Sequence, residues 1–146
     1  MRIVLQRIAS AAVEVDGEVV ARVGFGLLLF VAVVRGDGQE QIKRAAKKVA
    51  ELRVFDDEKG RMQFDCFEAG GEILLVSQFT LAASLGKGRR PSFDRAADPA
   101  LARPLIEGLV KDLRSRGLKV RTGRFGATMS VSLVNDGPVT FVIEVD

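Results

Sequence analysis

Side chains able to act on a ligand concentrate in two short segments. Ser77-Gln78-Phe79-Thr80-Leu81 follows the apolar run Ile73-Leu74-Leu75-Val76. Two hydroxyls and an amide emerging where a buried strand ends are well placed to donate to, or accept from, a small molecule. The same three side chains would equally serve to satisfy the strand end's own backbone. The second segment, Asn135-Asp136-Gly137-Pro138-Val139-Thr140, has the Asp-Gly pair of a tight turn between strands. Pro138 lacks a backbone donor and restricts Gly137, so the pair is a candidate for a cis peptide. A rigid Gly-Pro turn fixes where its carbonyls point, for a ligand or for the fold alone.

What these groups can do is limited by what the chain lacks. There is no histidine, which excludes a Ser-His-Asp or Cys-His mechanism, a histidine base and histidine-ligated zinc. One cysteine, Cys66, excludes an internal disulfide and a Cys-x-x-Cys site. Thr80 is a weak nucleophile without an adjacent base. Any catalysis must use hydroxyls, amides, carboxylates, cations, backbone groups or the substrate's own atoms.

Charge adds a direction. The net charge is +3, yet the stretch 87–124 alone carries 11 Lys and Arg against 4 Asp and Glu. Such an uneven basic region is a footprint for phosphates, and also an ordinary way to keep a surface soluble. The start of the chain has no long apolar core and no small-residue cleavage site, and the longest apolar run, 25–34, is too short to span a membrane. A soluble, cytoplasmic protein is expected, and a free cysteine suits a reducing compartment.

The elements that must position these groups read as an α/β fold. At 146 residues and 47% apolar content, one domain over 1–146 with a real core is expected. Strands are expected at 2–8, at 12–15 and 18–22 around an Asp16-Gly17 hairpin turn, at 27–34 and at 72–79. The unbroken apolar runs Leu27–Val34 and Ile73–Val76 imply strands covered on both faces. A first helix over 37–53 buries Ile42, Ala45, Ala46, Val49, Ala50 and Leu52. A turn at 56–60 follows it, and 82–97 reads as a long basic loop. A second helix starts with Asp98 as cap and Pro99 as first residue, buries Leu101, Leu105, Leu109 and Leu113, and stops at Gly117. Pro104 should kink its first turns or delay its start. A short strand at 118–122, a turn at 123–126 and a final strand pair complete a layered arrangement, two helices packed on a mostly antiparallel or mixed sheet.

Four ordered motifs together resemble the D-aminoacyl-tRNA deacylase family: Ser77-Gln78-Phe79-Thr80-Leu81, Arg90-Pro91-Ser92-Phe93, Thr122-Gly123-Arg124-Phe125 and Asn135-Asp136-Gly137-Pro138-Val139-Thr140. The likeness runs from Gln6-Arg7 to Glu144. It implies the family's β/β/α fold, hydrolysis of the ester joining a D-amino acid to the tRNA 3′ end, and a homodimer with two active sites at the subunit interface. Ser77, Gln78, Phe79 and Thr80 of one subunit would line the pocket. Gly137-Pro138 of the other would enter it as a cis peptide, held by Arg7, leaving no room for an L side chain. Phe125 and Met129 would sit near the terminal adenine, and Lys87, Arg89, Arg90 and Arg124 would meet phosphates. The resemblance implies no cofactor, no metal, no membrane and tRNA rather than DNA as partner.

On this reading the missing histidine has a physical answer. The ribose 2′-hydroxyl beside the ester assists its hydrolysis, and the protein supplies positioning and backbone N–H groups, expected around Gln78 and Phe79, for the oxyanion. Exclusion of L side chains cannot exclude glycine, so glycyl-tRNA is expected as a second substrate. Three other readings fit the residues alone: a dimeric RNA-binding module without catalysis, a small-ester or peptide hydrolase using Thr80, and a structural dimer joined through Gly137-Pro138.

Overall fold

A computed structural model describes all residues, Met1–Asp146. Its spine is β1 (Arg2–Val15), a single strand where the sequence suggested two. Along one edge β1 pairs antiparallel first with β3 (Gly26–Ala32), from Arg2↔Ala32 to Ile8↔Gly26, and then with β2 (Glu18–Val23) across the Asp16-Gly17 turn. Along the other edge runs β8 (Ser130–Glu144). β3 continues in parallel to β6 (Glu72–Ser77), and β6 in parallel to β7 (Lys119–Thr122). One strand serving two neighbours in turn forces the sheet to bend, and β2 packs back against β6 and β7. A separate two-stranded ribbon, β4 (Phe55–Asp56) with β5 (Met62–Phe64), encloses the expected turn.

The bend gives the sheet two buried faces, which explains the unbroken apolar runs. Leu27, Leu29, Val31, Ile73 and Leu75 face the helices, whereas Leu28, Leu74 and Val76 face a second, smaller core with Val13, Val15, Ala21 and Val23. Ile3 and Leu5 of β1 join the helix-side core and Ile8 the other, and the register shift between Ile8 and Ser10 lets Ala11, Val13 and Val15 stay on that second side. Each fully buried Leu or Ile side chain contributes about 1.5–3 kcal/mol. Gly26 is required here: a Cβ on it would lie 1.8 Å from the Glu72 carbonyl oxygen, so no other residue permits this approach of β3 to β6.

Helix α1 (Gln39–Glu51) buries Ile42, Ala45, Ala46 and Val49 as expected, but starts two residues late. Asp37 is spent elsewhere, accepting from the Val34 N–H (2.8 Å) and pairing with the Met1 ammonium (2.9 Å). Helix α2 (Pro99–Ser115) has Asp98 at the cap position and Pro99 at its first turn, though it is the Asp98 carbonyl rather than its carboxylate that accepts, from Leu101 and Ala102 N–H. The helix runs through Pro104 without a break: Ala100 and Pro104 are both exposed, so the carbonyl deprived of its donor lies on the solvent side. Ile106, Leu109, Val110 and Leu113 are buried, but Leu101 is 63% exposed because the first turn overhangs the core. Gly117 ends the helix with a positive φ, its N–H bonded to the Arg114 carbonyl.

Two further expectations change where the site lies. β6 ends at Ser77, and Phe79–Ala82 form a 3₁₀ turn rather than more strand. The final pair of strands is one strand. β8 passes through Asn135–Thr140 with a bulge, Ile8 pairing with Asn135 and Gln6 with Thr140, because β1 offers a continuous edge on both sides of the excursion.

Candidate active site

The parallel strands β3 and β6 and the 3₁₀ turn end beside a cavity of about 520 Å³. Ser77, Gln78 and Phe79 form one wall, and Phe125 and Met129 another. Apolar side chains such as Val31, Val76 and Ile106 make up most of the remainder. Phe79 is 59% exposed and stands edge-on to Phe93, with ring centroids 5.2 Å apart. The cavity can take a flat apolar body against rings and methyl groups, and Arg35 and Asp98 add two charged side chains to its lining.

The polar rim has a defined wiring. The Gln78 N–H is committed to the Val31 carbonyl at 2.8 Å, so it is not free for an oxyanion. Phe79 opens the 3₁₀ turn, where the leading N–H groups have no partner inside the turn. The Gln78 side-chain amide donates to Thr80 Oγ1, which therefore acts as an acceptor there.

The second segment forms its own rigid unit on the other side of β1. The Gly137–Pro138 peptide is cis, and Asp136, Gly137 and Pro138 are exposed. Arg7, only 7% exposed, braces the excursion. Its Nε donates to the Asp136 carbonyl (3.3 Å) and pairs with the Asp136 carboxylate (3.1 Å). Its Nη1 donates to the Val54 carbonyl (2.7 Å) and pairs with Asp56 (3.4 Å). Asn135 ties the two ends together, accepting from the Val139 N–H and donating to Thr140 Oγ1. A Cβ at Gly137 would come within 2.8 Å of Val139 Cγ2 and 3.1 Å of Arg7 Nη2.

Ser77, Gln78, Phe79, Phe125 and Met129 are thus brought together around one cavity, with Thr80 attached through Gln78. Arg7, Gly137 and Pro138 form a separate group that does not line it. Lys87, Arg89 and Arg90 lie exposed on the loop closed by the Ser84–Ser92 bridge and border neither large cavity, whereas Arg124 lines a second one. Sequence reading missed Phe93 as a wall of the first cavity, although it ends the Arg-Pro-Ser-Phe motif. It also missed Val54, Asp56 and Asp136 as the partners of Arg7, for which no local signal exists.

The D-Tyr-tRNA(Tyr) deacylase family model matches residues 4–144. The chain belongs to that family. Proteins named D-aminoacyl-tRNA deacylase from Syntrophotalea carbinolica and Alcanivorax borkumensis are 52% and 50% identical to it, each over 99% of this chain and over 97% and 99% of their own. The one from Aquifex aeolicus is 48% identical over 99% of this chain and 97% of its own. A solved structure named c-Myc DNA Unwinding Element Binding Protein superposes with a TM-score of 0.94 at 35% identity, over 100% of this chain and 99% of that one. A structure described as "a probable eukaryotic D-amino acid tRNA deacylase" shares the fold, with a TM-score of 0.84 at 19% identity over 97% and 98% of the two chains. Deacylases of this family are hydrolases of aminoacyl-tRNA. No helix is long and apolar enough to cross a membrane.

Proposed function

We propose that the chain hydrolyses the ester of D-aminoacyl-tRNA, in a site that two copies of the chain build together. One observation carries this reading: the cavity beside Ser77–Phe79 and the braced, exposed Gly137-Pro138 unit are separate within one chain. A second copy related by a two-fold axis would bring the Gly137-Pro138 unit of each protomer to the cavity of the other. β8 supports such an axis, since it exposes Val134, Phe141 and Val142 at 56%, 41% and 65% along one strand.

In this arrangement the terminal adenine rests against Phe125 and Met129, and the ester lies at the rim beside Phe79. Water adds to the ester carbonyl, assisted by the neighbouring 2′-hydroxyl. The leading N–H groups of the 3₁₀ turn, at Phe79 and Thr80, hold the oxyanion; Gln78 cannot, because its N–H is taken. The bond to the ribose 3′-oxygen then breaks, releasing D-amino acid and tRNA with its 3′-hydroxyl restored. Main-chain oxygens of Gly137 and Pro138, fixed through Arg7 and Asn135, occupy the space an L side chain would need. Thr80 is assigned no nucleophilic role on this reading, because the chain has no histidine to activate its hydroxyl. The structural likeness to a protein named for binding a DNA element supports nucleic acid as the ligand class, and makes DNA a competitor to include beside tRNA.

Deacylation of D-tyrosyl-tRNA but not L-tyrosyl-tRNA, retained in Thr80→Ala and lost when the 2′-hydroxyl is replaced by hydrogen, is the expected result. The shared site is tested by mixing two inactive variants, Phe79→Asp in the cavity and Gly137→Ala in the loop. Random reassortment leaves about a quarter of the sites with both halves intact, so about a quarter of the parental activity returns. A mixture as inactive as its components, with reassortment shown by mass, defeats the two-copy reading.

A further inference from the structure

Beside the first cavity lies a second, of about 470 Å³, and the two share Ser77, Ile106 and Phe125 as a common wall. Its character is different. Arg103, Lys111, Arg114 and Arg124 line it, against a single carboxylate, Glu107. Ion pairs are few on this molecule, such as Arg2 with Glu144 and Arg116 with Asp112, so what distinguishes this hollow is the number of cations it gathers. Arg103, Lys111 and Arg124 form no ion pair. Four cations gathered around one hollow with a single carboxylate leave an excess of positive charge that an anion would relieve.

Two of these cations are held in place rather than free to swing away. Arg114 donates through Nε and Nη2 to the Val120 carbonyl (3.2 and 2.7 Å), which ties its guanidinium from α2 to β7. Arg103 lies over the Phe125 ring, 4.8 Å from its centroid, and so places a charge on the partition between the two cavities. On α2 the residues Arg103, Glu107, Lys111 and Arg114 follow the spacing of one helical face, giving a line of charge that leads away from the first cavity.

We propose that this groove binds the phosphodiester backbone of the single-stranded 3′ end of the RNA, leading its terminal nucleoside over the Phe125 partition into the first cavity. The proposal rests on the deacylase reading and assigns the path of the substrate. The strand runs along α2 and β7, with Arg103, Lys111, Arg114 and Arg124 touching its phosphates. The loop cations Lys87, Arg89 and Arg90 are not on this path.

The test uses Lys111→Ala and the rescue variant Lys111→Arg, with Arg89→Ala as the competing path, each as the full-length protein. Lys111 is exposed and buries no partner, so folding is checked simply by an unchanged melting curve. Two substrates are compared: D-tyrosyl-tRNA, and the D-tyrosyl ester of adenosine, which has no phosphate. For the tRNA, Lys111→Ala raises KM without lowering kcat. It also makes the slope of log kcat/KM against log salt concentration shallower by about 0.7, the value for a single phosphate neutralised on a single strand. Lys111→Arg restores both, and the adenosine ester is cleaved as by the parent. The proposal is overturned if Lys111→Ala keeps the parental salt slope, if it loses activity equally on both substrates, or if Arg89→Ala produces the change instead. A parent protein inactive on both substrates would defeat the deacylase reading itself. The groove is then judged by fluorescence anisotropy of uncharged tRNA binding, which Lys111→Ala must still weaken with the same change in salt slope.

Discussion

Arg7 is the side chain on which the site geometry turns. A buried guanidinium is tolerable only when its donors are satisfied, and here two carbonyls and two partly exposed carboxylates do so. Those bonds run from β1 to the stretch after α1 and to the bulge of β8, so the Gly137-Pro138 unit is fixed by the core as well as by the Asn135 bonds within its own turn. Gly137 has φ of +122°, and an added Cβ would meet both Val139 and Arg7. Gly137→Ala is therefore expected to destabilise the protein by about 1–3 kcal/mol from the backbone alone. Because the added methyl also displaces Arg7, deacylation of D-tyrosyl-tRNA should be lost although the protein stays folded, which parallel melting and deacylation assays would reveal. Cys66 behaves differently: burial first, and Asp65 second, push its thiol up from 9.0 to about 12. The folded protein should resist thiol reagents at pH 8 until it unfolds. The sign of the linkage follows. The unfolded chain releases this proton near pH 9 while the folded one holds it, so stability is complete below pH 9 and declines toward pH 12. Cys66→Ala should flatten that decline in denaturant titrations, and an unchanged slope would mean that the buried thiol does not drive it.

Among the elements, β8 carries the largest unexplained exposure. Val134, Phe141 and Val142 stand 56%, 41% and 65% exposed on a strand already paired along β1. Phe141 and Val142 are neighbours on the strand and point to opposite faces, so β8 presents exposed apolar side chains on both, which suits the packing of a second copy. Under the two-copy reading, Val142→Asp leaves the fold intact, since Val142 is 65% exposed, and converts the protein to a monomer in sedimentation experiments. Deacylation should fall with it and recover on raising protein concentration. A stable monomer with full activity would place the whole site in one chain. Helix α2 acts at the same scale, because its buried side holds the core while its polar side forms the wall of the basic groove.

For the assembled molecule, selection by exclusion has a consequence that no single residue shows. Carbonyls that reject an L side chain meet nothing when the substrate has no side chain. Glycyl-tRNA is thus expected to be hydrolysed, whereas L-alanyl-tRNA, larger by one methyl, is spared. Measured rates on these two esters, run beside D-tyrosyl-tRNA, check it; inertness toward glycyl-tRNA would mean that recognition depends on binding the D side chain.

Much of this was legible in the residues themselves. Asp16-Gly17 marked its turn, Pro99 and Gly117 bounded α2, and unbroken apolar runs marked β3 and β6 as covered on both faces, because turn conformation, capping and periodicity act over a few neighbouring residues. The four motifs named the family before any coordinate. Four things were decided only by the tertiary structure. β1 and β8 are each one strand, since a bulge that locally resembles a turn is held in line by the edge beside it. Arg7 meets Asp136, 129 residues away, and Val54, 47 residues away, through a sheet topology that no local pattern encodes. The Gln78 N–H is withdrawn from the site by Val31 across a parallel pairing, and Arg103 and Lys111 face a groove with Arg124 only because α2 lies over β7. Local sequence sets which conformations a segment prefers, whereas the partners that satisfy its polar groups depend on which distant segments the packed core brings alongside.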